Sequence, residues 1–164
     1  MASHRFAFVI PMAAMLLAPS AFATQSTNRD PAVLATVDAA LSAAQSGDVS
    51  KLRDQYAPDC VFIDEFAPFR WTGPNALDAY MASAVQMYQE TRHGEVQMTV
   101  SPPAYVYVSG DAAYVMEPLS EKATVDGKPY ESTGFLTFTL ARTGQRWKIT
   151  SQIWTKAGEN INPY

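Results

Sequence analysis

YAPDCVFIDEFAPFRWTGPNALDAY, residues 56–80, joins a short apolar strand to a helix through a carboxylate pair and an aromatic loop. Val61, Phe62 and Ile63 read as the strand, and Asp64 and Glu65 stand at its end. Phe66, Pro68, Phe69 and Trp71 follow and place low-dielectric surface around those acids. A carboxyl group in such surroundings resists ionising and can take up or release a proton near neutral pH. Asp64 is therefore the candidate general base. The competing structural reading is a carboxylate that accepts from the loop backbone of residues 66–70, or one that pairs with Arg70. Strand alternation points Glu65 the other way and makes it the weaker candidate.

Upstream of this stretch, Asp30 and Pro31 form an N-cap and first-turn pair, and Val33, Leu34, Val37, Ala40, Leu41 and Ala44 recur at helical spacing as far as Gly47. Asp48 caps a second, short helix expected to run through Leu52 to Tyr56, where Pro58 stops it. Downstream, a third helix is expected from Pro74, with Leu77, Tyr80, Met81, Ala84, Val85 and Tyr88 on one side and an end near His93 and Gly94. His93 in that last turn reads as a dipole-compensating or exposed residue.

From Glu95 the periodicity changes to that of strands, with Val96, Met98 and Val100 alternating against polar neighbours before Pro102 and Pro103 bend the chain. Residues 105–109, 112–125, 130–141 and 146–156 follow as strand candidates. Ser109-Gly110-Asp111, Asp126-Gly127 and Thr143-Gly144 supply the turns, and only the tail from Gly158 to Tyr164 reads as loose. Helices first and a curved antiparallel sheet afterwards make an α+β fold, a cone-shaped sheet with three N-terminal helices over one face. On the other face Tyr105, Tyr107, Phe135 and Thr137 leave aromatic surface that a second copy could cover, so a homodimer is expected.

Arg5, the apolar run from Phe6 to Leu17 and the small-residue pattern Ala21-Phe22-Ala23 read as a secretory signal peptide spanning residues 1–23, with a mature start at Thr24. The run is short for a membrane span, and no membrane association is expected after cleavage. Removal leaves 164 − 23 = 141 residues, enough for one domain, 24–164, in the periplasm or secreted. Losing Arg5 moves the formal charge from −4 to −5, which argues against nucleic acid, for which a basic stripe is required. Cys60 is the only cysteine, so no internal disulfide forms, and it reads as a small buried strand residue rather than a nucleophile. One mature histidine and scattered acids give no metal-ligand spacing, and no cofactor is called for. Arg142 and Arg146 read as solvated hairpin residues.

The order helix, short helix, strand, helix, meander resembles the nuclear-transport-factor-2-like superfamily, which includes ketosteroid isomerase, scytalone dehydratase and the SnoaL-like polyketide cyclases. Gly47-Asp48, Tyr56-Ala57, Thr72-Gly73-Pro74 and Trp147 carry the resemblance over nearly all of residues 30–157. It implies that the proton-transferring aspartate of the isomerase branch falls on Asp64 and an aromatic cavity residue on Trp154. It also implies that the oxyanion donors of that branch fall near Ala40 and Thr133, neither of which replaces them, and that the last-strand histidine of many related domains is missing from Ser151-Gln152-Ile153.

Trp71, Tyr80, Glu117 and Trp154 complete the candidate pocket. Tyr80 adjoins the Asp64 loop, whereas Tyr88 reads as core packing, and Glu117 between Met116 and Pro118 is either a second cavity acid or an exposed strand residue. Simple alternation puts Trp154 opposite Trp147, so only a bulge brings both to one face; Trp154 is assigned to the cavity and Trp147 to packing. The resulting expectation is a cavity for a small hydrophobic metabolite, or alternatively a cofactor-independent isomerase, dehydratase or cyclase with Asp64 as general base.

Overall fold

The computed structural model describes residues 30–161, so the expected leader and the Thr24 start lie outside the described residues. Helix α1 (Pro31–Ser46) begins where Asp30 Oδ1 accepts from the Ala32 N–H at 2.9 Å, and Gly47, at φ 70°, ends it in the left-handed conformation that favours glycine. Its Val33, Val37, Ala40 and Ala43 face is buried. Helix α2 (Val49–Arg53) starts at Asp48, whose carboxylate accepts from the Lys51 N–H at 3.1 Å. It stops at Arg53, short of the expected Tyr56, because Tyr56 is already the first residue of strand β1 (Tyr56–Ile63). Pro58 therefore sits within β1, at the register irregularity between Tyr56 and Val61 where no ladder donor is required of it.

Strand β2 (Arg70–Trp71) folds back on β1, and helix α3 (Ala76–Glu90) follows. Pro74 and Asn75 form a turn closed by the Ala76 N–H on the Gly73 carbonyl at 3.1 Å, which delays the helix by two residues from the expected start. Arg53 of α2 grips Asp78 of α3 with two hydrogen bonds, at 2.6 and 3.0 Å, fixing the two helices at one end. The meander comprises β3 (Gln97–Val100), β4 (Tyr105–Ser109), β5 (Ala112–Val125), β6 (Lys128–Thr143) and β7 (Arg146–Ile161). The expected loose tail begins later than Gly158, since β7 stays paired with β6 as far as Ile161 opposite Tyr130.

Seven strands form one sheet in the order β2-β1-β7-β6-β5-β3, with β4 also on β5. Every pairing is antiparallel except β1 with β7, which is parallel. The α+β cone is thus antiparallel in all but one seam. Its inner face carries Phe62, Val115, Phe138, Leu140 and Ile149, all buried under the helices, each large side chain contributing about 1.5–3 kcal/mol on burial. Cys60 is buried among them, and burial pushes its thiol pKa up, the opposite of what a nucleophile needs.

The register of β7 changes between Leu140↔Ile149 and Thr139↔Ser151, leaving Thr150 as an extra residue. This bulge resets the alternation. Trp147 and Ile149 before it, and Gln152 and Trp154 after it, all face the inside of the cone opposite Arg142, Leu140, Phe138 and Leu136. Trp147 packs in the core and its indole N–H donates to Asp30 at 3.1 Å. Arg142, expected to be merely solvated, stacks over Trp147 at 4.4 Å and pairs with Asp30 at 3.2 Å, tying the start of α1 to the far end of the sheet.

Candidate functional site

The cone encloses a cavity of about 790 Å³ between α1, α2, α3 and the inner face of the sheet. Most of its wall is apolar, supplied by side chains such as Leu41, Leu52, Leu77, Met81 and Leu136. Asp64, Tyr80 and Trp154 line it together. Asp64 is the first residue after β1 and lines the cavity beside Phe62. Its Oδ2 accepts from the Tyr80 hydroxyl at 2.9 Å and its Oδ1 from the Glu65 backbone N–H at 2.7 Å.

Burial is the largest influence on Asp64 and pushes its pKa up; the two hydrogen bonds oppose it, and the charges of Glu65 and Glu121 reinforce it. The net result is a carboxyl group above its ordinary range. Arg70 is exposed, and the partners at the Asp64 oxygens are Tyr80 and the Glu65 N–H instead. Tyr80 is held by aromatic contact on three sides. Its ring stacks on Phe62 at 4.7 Å and on Phe66 at 5.9 Å, and meets Trp71 edge-on at 5.1 Å. Burial first and then the neighbouring Asp64 push the Tyr80 pKa well up, so the phenol remains a donor.

Three expectations about this region need correction. Trp71 does not line the cavity; it stands behind Tyr80, 5 % exposed, with its indole N–H on Ser83 Oγ at 3.0 Å. Phe69, at φ 68° in the loop between β1 and β2, is 59 % exposed, and of the two loop aromatics Phe66 and Phe69 only Phe66 lines the cavity. Glu65 does reach the cavity, since β1 ends at Ile63 and strand alternation no longer governs the following residues.

Glu65 belongs to a polar cluster on one side of the cavity. It pairs with Lys156 at 2.8 Å, and Lys156 also donates to the Tyr130 hydroxyl at 3.1 Å. Glu121 accepts from Ser132 at 3.4 Å; burial raises its pKa, against the pull of Ser132 and Lys156. His93 lies edge-on to Tyr130 at 5.7 Å and against Tyr88 at 4.9 Å. It lines the cavity rather than sitting in a solvated helix end, and burial followed by the charge of Lys156 lowers its pKa. Tyr88 lines the cavity too, instead of packing in the core, with its pKa raised to about 12, chiefly by burial. At a second point Tyr56 donates its hydroxyl to Gln152.

Glu117 is the clearest departure. It is 1 % exposed, yet it does not line this cavity; it faces a smaller one together with Asp38. The signal lay in its own strand, where Val115, Glu117, Leu119 and Glu121 alternate on one face and the two apolar members fix that face as the inner one. For His93 a weaker signal existed in Gly94, where an added Cβ would stand 2.2 Å from Thr124 Oγ1. That close approach docks the end of α3 on β5 and carries His93 inward. Ala40 lines the cavity without a donor and Thr133 is exposed, so neither supplies an oxyanion contact.

Among the described residues no group of three His, Cys, Asp or Glu side chains could hold a metal ion, and no helix is long and apolar enough to cross a membrane. The arrangement can receive a mostly apolar molecule and present to it the Asp64 carboxyl group, the phenols of Tyr56, Tyr80 and Tyr88, and a polar cluster. A family model described as SnoaL-like domain matches residues 33–153. No curated protein matches by sequence. Among solved structures, a hexachlorocyclohexane dehydrochlorinase of Novosphingobium barchaimii is similar with a TM-score of 0.68 at 12 % identity, over 81 % of this chain and 89 % of that one. A ketosteroid isomerase-like protein of Erwinia carotovora is similar with a TM-score of 0.60 at 20 % identity, over 78 % and 95 % of the two chains. At these identities the likeness is one of fold.

Proposed function

The chain belongs to the SnoaL-like domain family, and from that premise we propose that its cavity binds a small, mostly apolar organic molecule and that Asp64 exchanges a proton with it. The observation that carries this reading is the placement of Asp64 in an apolar cavity with the Tyr80 phenol and the Glu65 backbone N–H at its oxygens. A carboxylate so held is a stronger base than a solvated one. It can take a proton from a carbon beside a carbonyl, or from a carbon next to a leaving group, and return it elsewhere or lose it to water. Tyr80 orients the carboxylate, and the surrounding rings exclude water. The relatives with dehydrochlorinase and ketosteroid-isomerase-like descriptions are compatible with chemistry of that class. With a functional leader the protein would work in the periplasm or outside the cell; intact mass of the exported protein, expected to start at Thr24, checks this.

A purely binding role is the second reading, favoured by the missing donors at Ala40 and Thr133. Proton–deuteron exchange of a panel of cyclic ketones in heavy water, followed by NMR, distinguishes the two. Catalysis by Asp64 requires that the protein accelerate exchange of at least one ketone and that Asp64→Asn, which keeps the shape, reduce the acceleration by about 100-fold or more. Saturable binding of a ketone with no acceleration in either protein leaves the binding role alone standing.

A further inference from the structure

The second cavity, of about 310 Å³, shares Leu41, Gln45 and Val100 with the first. It exists because the edge of β5 changes partner. Strand β3 pairs with it as far as Val100 opposite Leu119, and β4 takes over from Tyr105 opposite Met116, which leaves Glu117 and Pro118 in the gap. The chain crosses that gap through Pro102 and Pro103, held by the Ser101 N–H on the Pro118 carbonyl and the Ala104 N–H on the Met116 carbonyl, each at 2.9 Å. Neither proline has an N–H to offer Glu117. The facing wall is a stripe of α1 comprising Asp38, Leu41, Ser42 and Gln45, spaced at i, i+3, i+4 and i+7.

Glu117 occupies a core position between Val115 and Leu119, and its Oε2 is buried with no hydrogen-bond partner among the described residues. Leaving such a group unsatisfied is costly, and native proteins rarely do so without a ligand or a functional reason. Burial, and then the negative charge of Asp38, raise its pKa to about 7, so a positive charge placed nearby would favour its ionised form. Among the described residues, Asp38 and Glu117 are the ionisable ones in the cavity wall, and both are acids. Ser42, Gln45 and Ser101 add polar oxygens, while Leu41, Val100, Pro102 and Pro103 are apolar. Two carboxyl groups do not make a metal cage, but two acids, neutral oxygens and a hydrocarbon wall match an organic cation with N–H donors and a short stem.

We propose that this cleft binds a primary alkylammonium ion, its N–H donors divided between Glu117 and Asp38 and its stem lying against Pro102 and Pro103. Asp64 does not line this cleft, although the two cavities share Leu41, Gln45 and Val100. Carbon-detected NMR of the carboxyl groups, with n-propylammonium chloride added to the full protein, tests it. Saturable movement of both the Glu117 and Asp38 resonances is expected, with a fall of the Glu117 midpoint by about one pH unit, a tenfold preference for the ionised form. Tetramethylammonium, which has no N–H, and sodium chloride are expected to do neither. Glu117→Gln keeps the volume and is expected to weaken binding at least about tenfold; should it fail to fold, Asp38→Asn on the exposed side of α1 is expected to weaken binding several-fold instead. Resonances that stay still, or that move equally with all three salts, overturn the proposal.

Discussion

Asp64 carries two hydrogen bonds of different origin, one from a side chain on α3 and one from the backbone of its own loop. Only the first can be removed without disturbing the chain path. Tyr80→Phe keeps the stack on Phe62 and Phe66 and deletes the donor, so the Asp64 titration midpoint is expected to move further up. Carbon-detected titration of the carboxyl group measures it, and a midpoint that falls refutes the assigned bond. Glu117 gives the converse test on stability. Its folded pKa of about 7 lies above the ordinary 4.5, so the folded state holds the proton more tightly than the unfolded chain does. Its contribution is complete below the ordinary carboxylate range and is lost as pH rises through about 7. Chemical denaturation at about pH 5 and about pH 8 is expected to show Glu117→Gln flattening the pH dependence by about 1–2 kcal/mol. An unchanged slope shows that Glu117 does not carry it.

The bulge at Thr150 and the glycine at 134 determine how β7 presents the cavity. An added Cβ on Gly134 would stand 2.2 Å from the Thr155 carbonyl and 2.6 Å from the Trp154 ring, so the neighbouring strand must shift. Gly134→Ala is expected to cost about 2–3 kcal/mol in denaturant unfolding and to displace Trp154, visible in its fluorescence. A stability loss with unchanged Trp154 emission would place the strain elsewhere. The sequence made the helices legible because Asp30, Asp48 and Gly47 are local signals with local effects. Asp64 and Tyr80 were legible for the same reason, being linked through one short strand and loop. Glu65, His93 and Lys156 were not, since their positions depend on where β1 stops, on the approach of Gly94 to β5 and on the bulged course of β7. Trp71 was misplaced by sequence proximity, because contact with a cavity residue does not make a residue part of the wall.

For the molecule as a whole, the outer face of the sheet leaves Tyr107 42 % and Tyr114 37 % exposed, beside the edge-on pair Tyr105 and Tyr114. Thr137 is already covered by its neighbours, so the aromatic residues carry the surface expected to meet a second copy. Light scattering at micromolar concentration is expected to give twice the chain mass, and Tyr107→Glu to return it to one chain; a wild-type monomer sinks the dimer. One seam of the cone governs more than its shape. The parallel pairing of Val61 with Ser151 and Phe62 with Gln152 joins the earliest strand to the last, across most of the described chain. Closing so long a loop carries an entropic cost that adjacent hairpins such as β5–β6 do not bear. A nascent chain can thus acquire most of its meander while Asp64 and Trp154 are still strangers. The seam that joins Asp64 to Trp154 closes only once β7 has paired with β1, and on gentle unfolding it is expected to open ahead of the hairpins, which pulse-labelled amide exchange can time strand by strand.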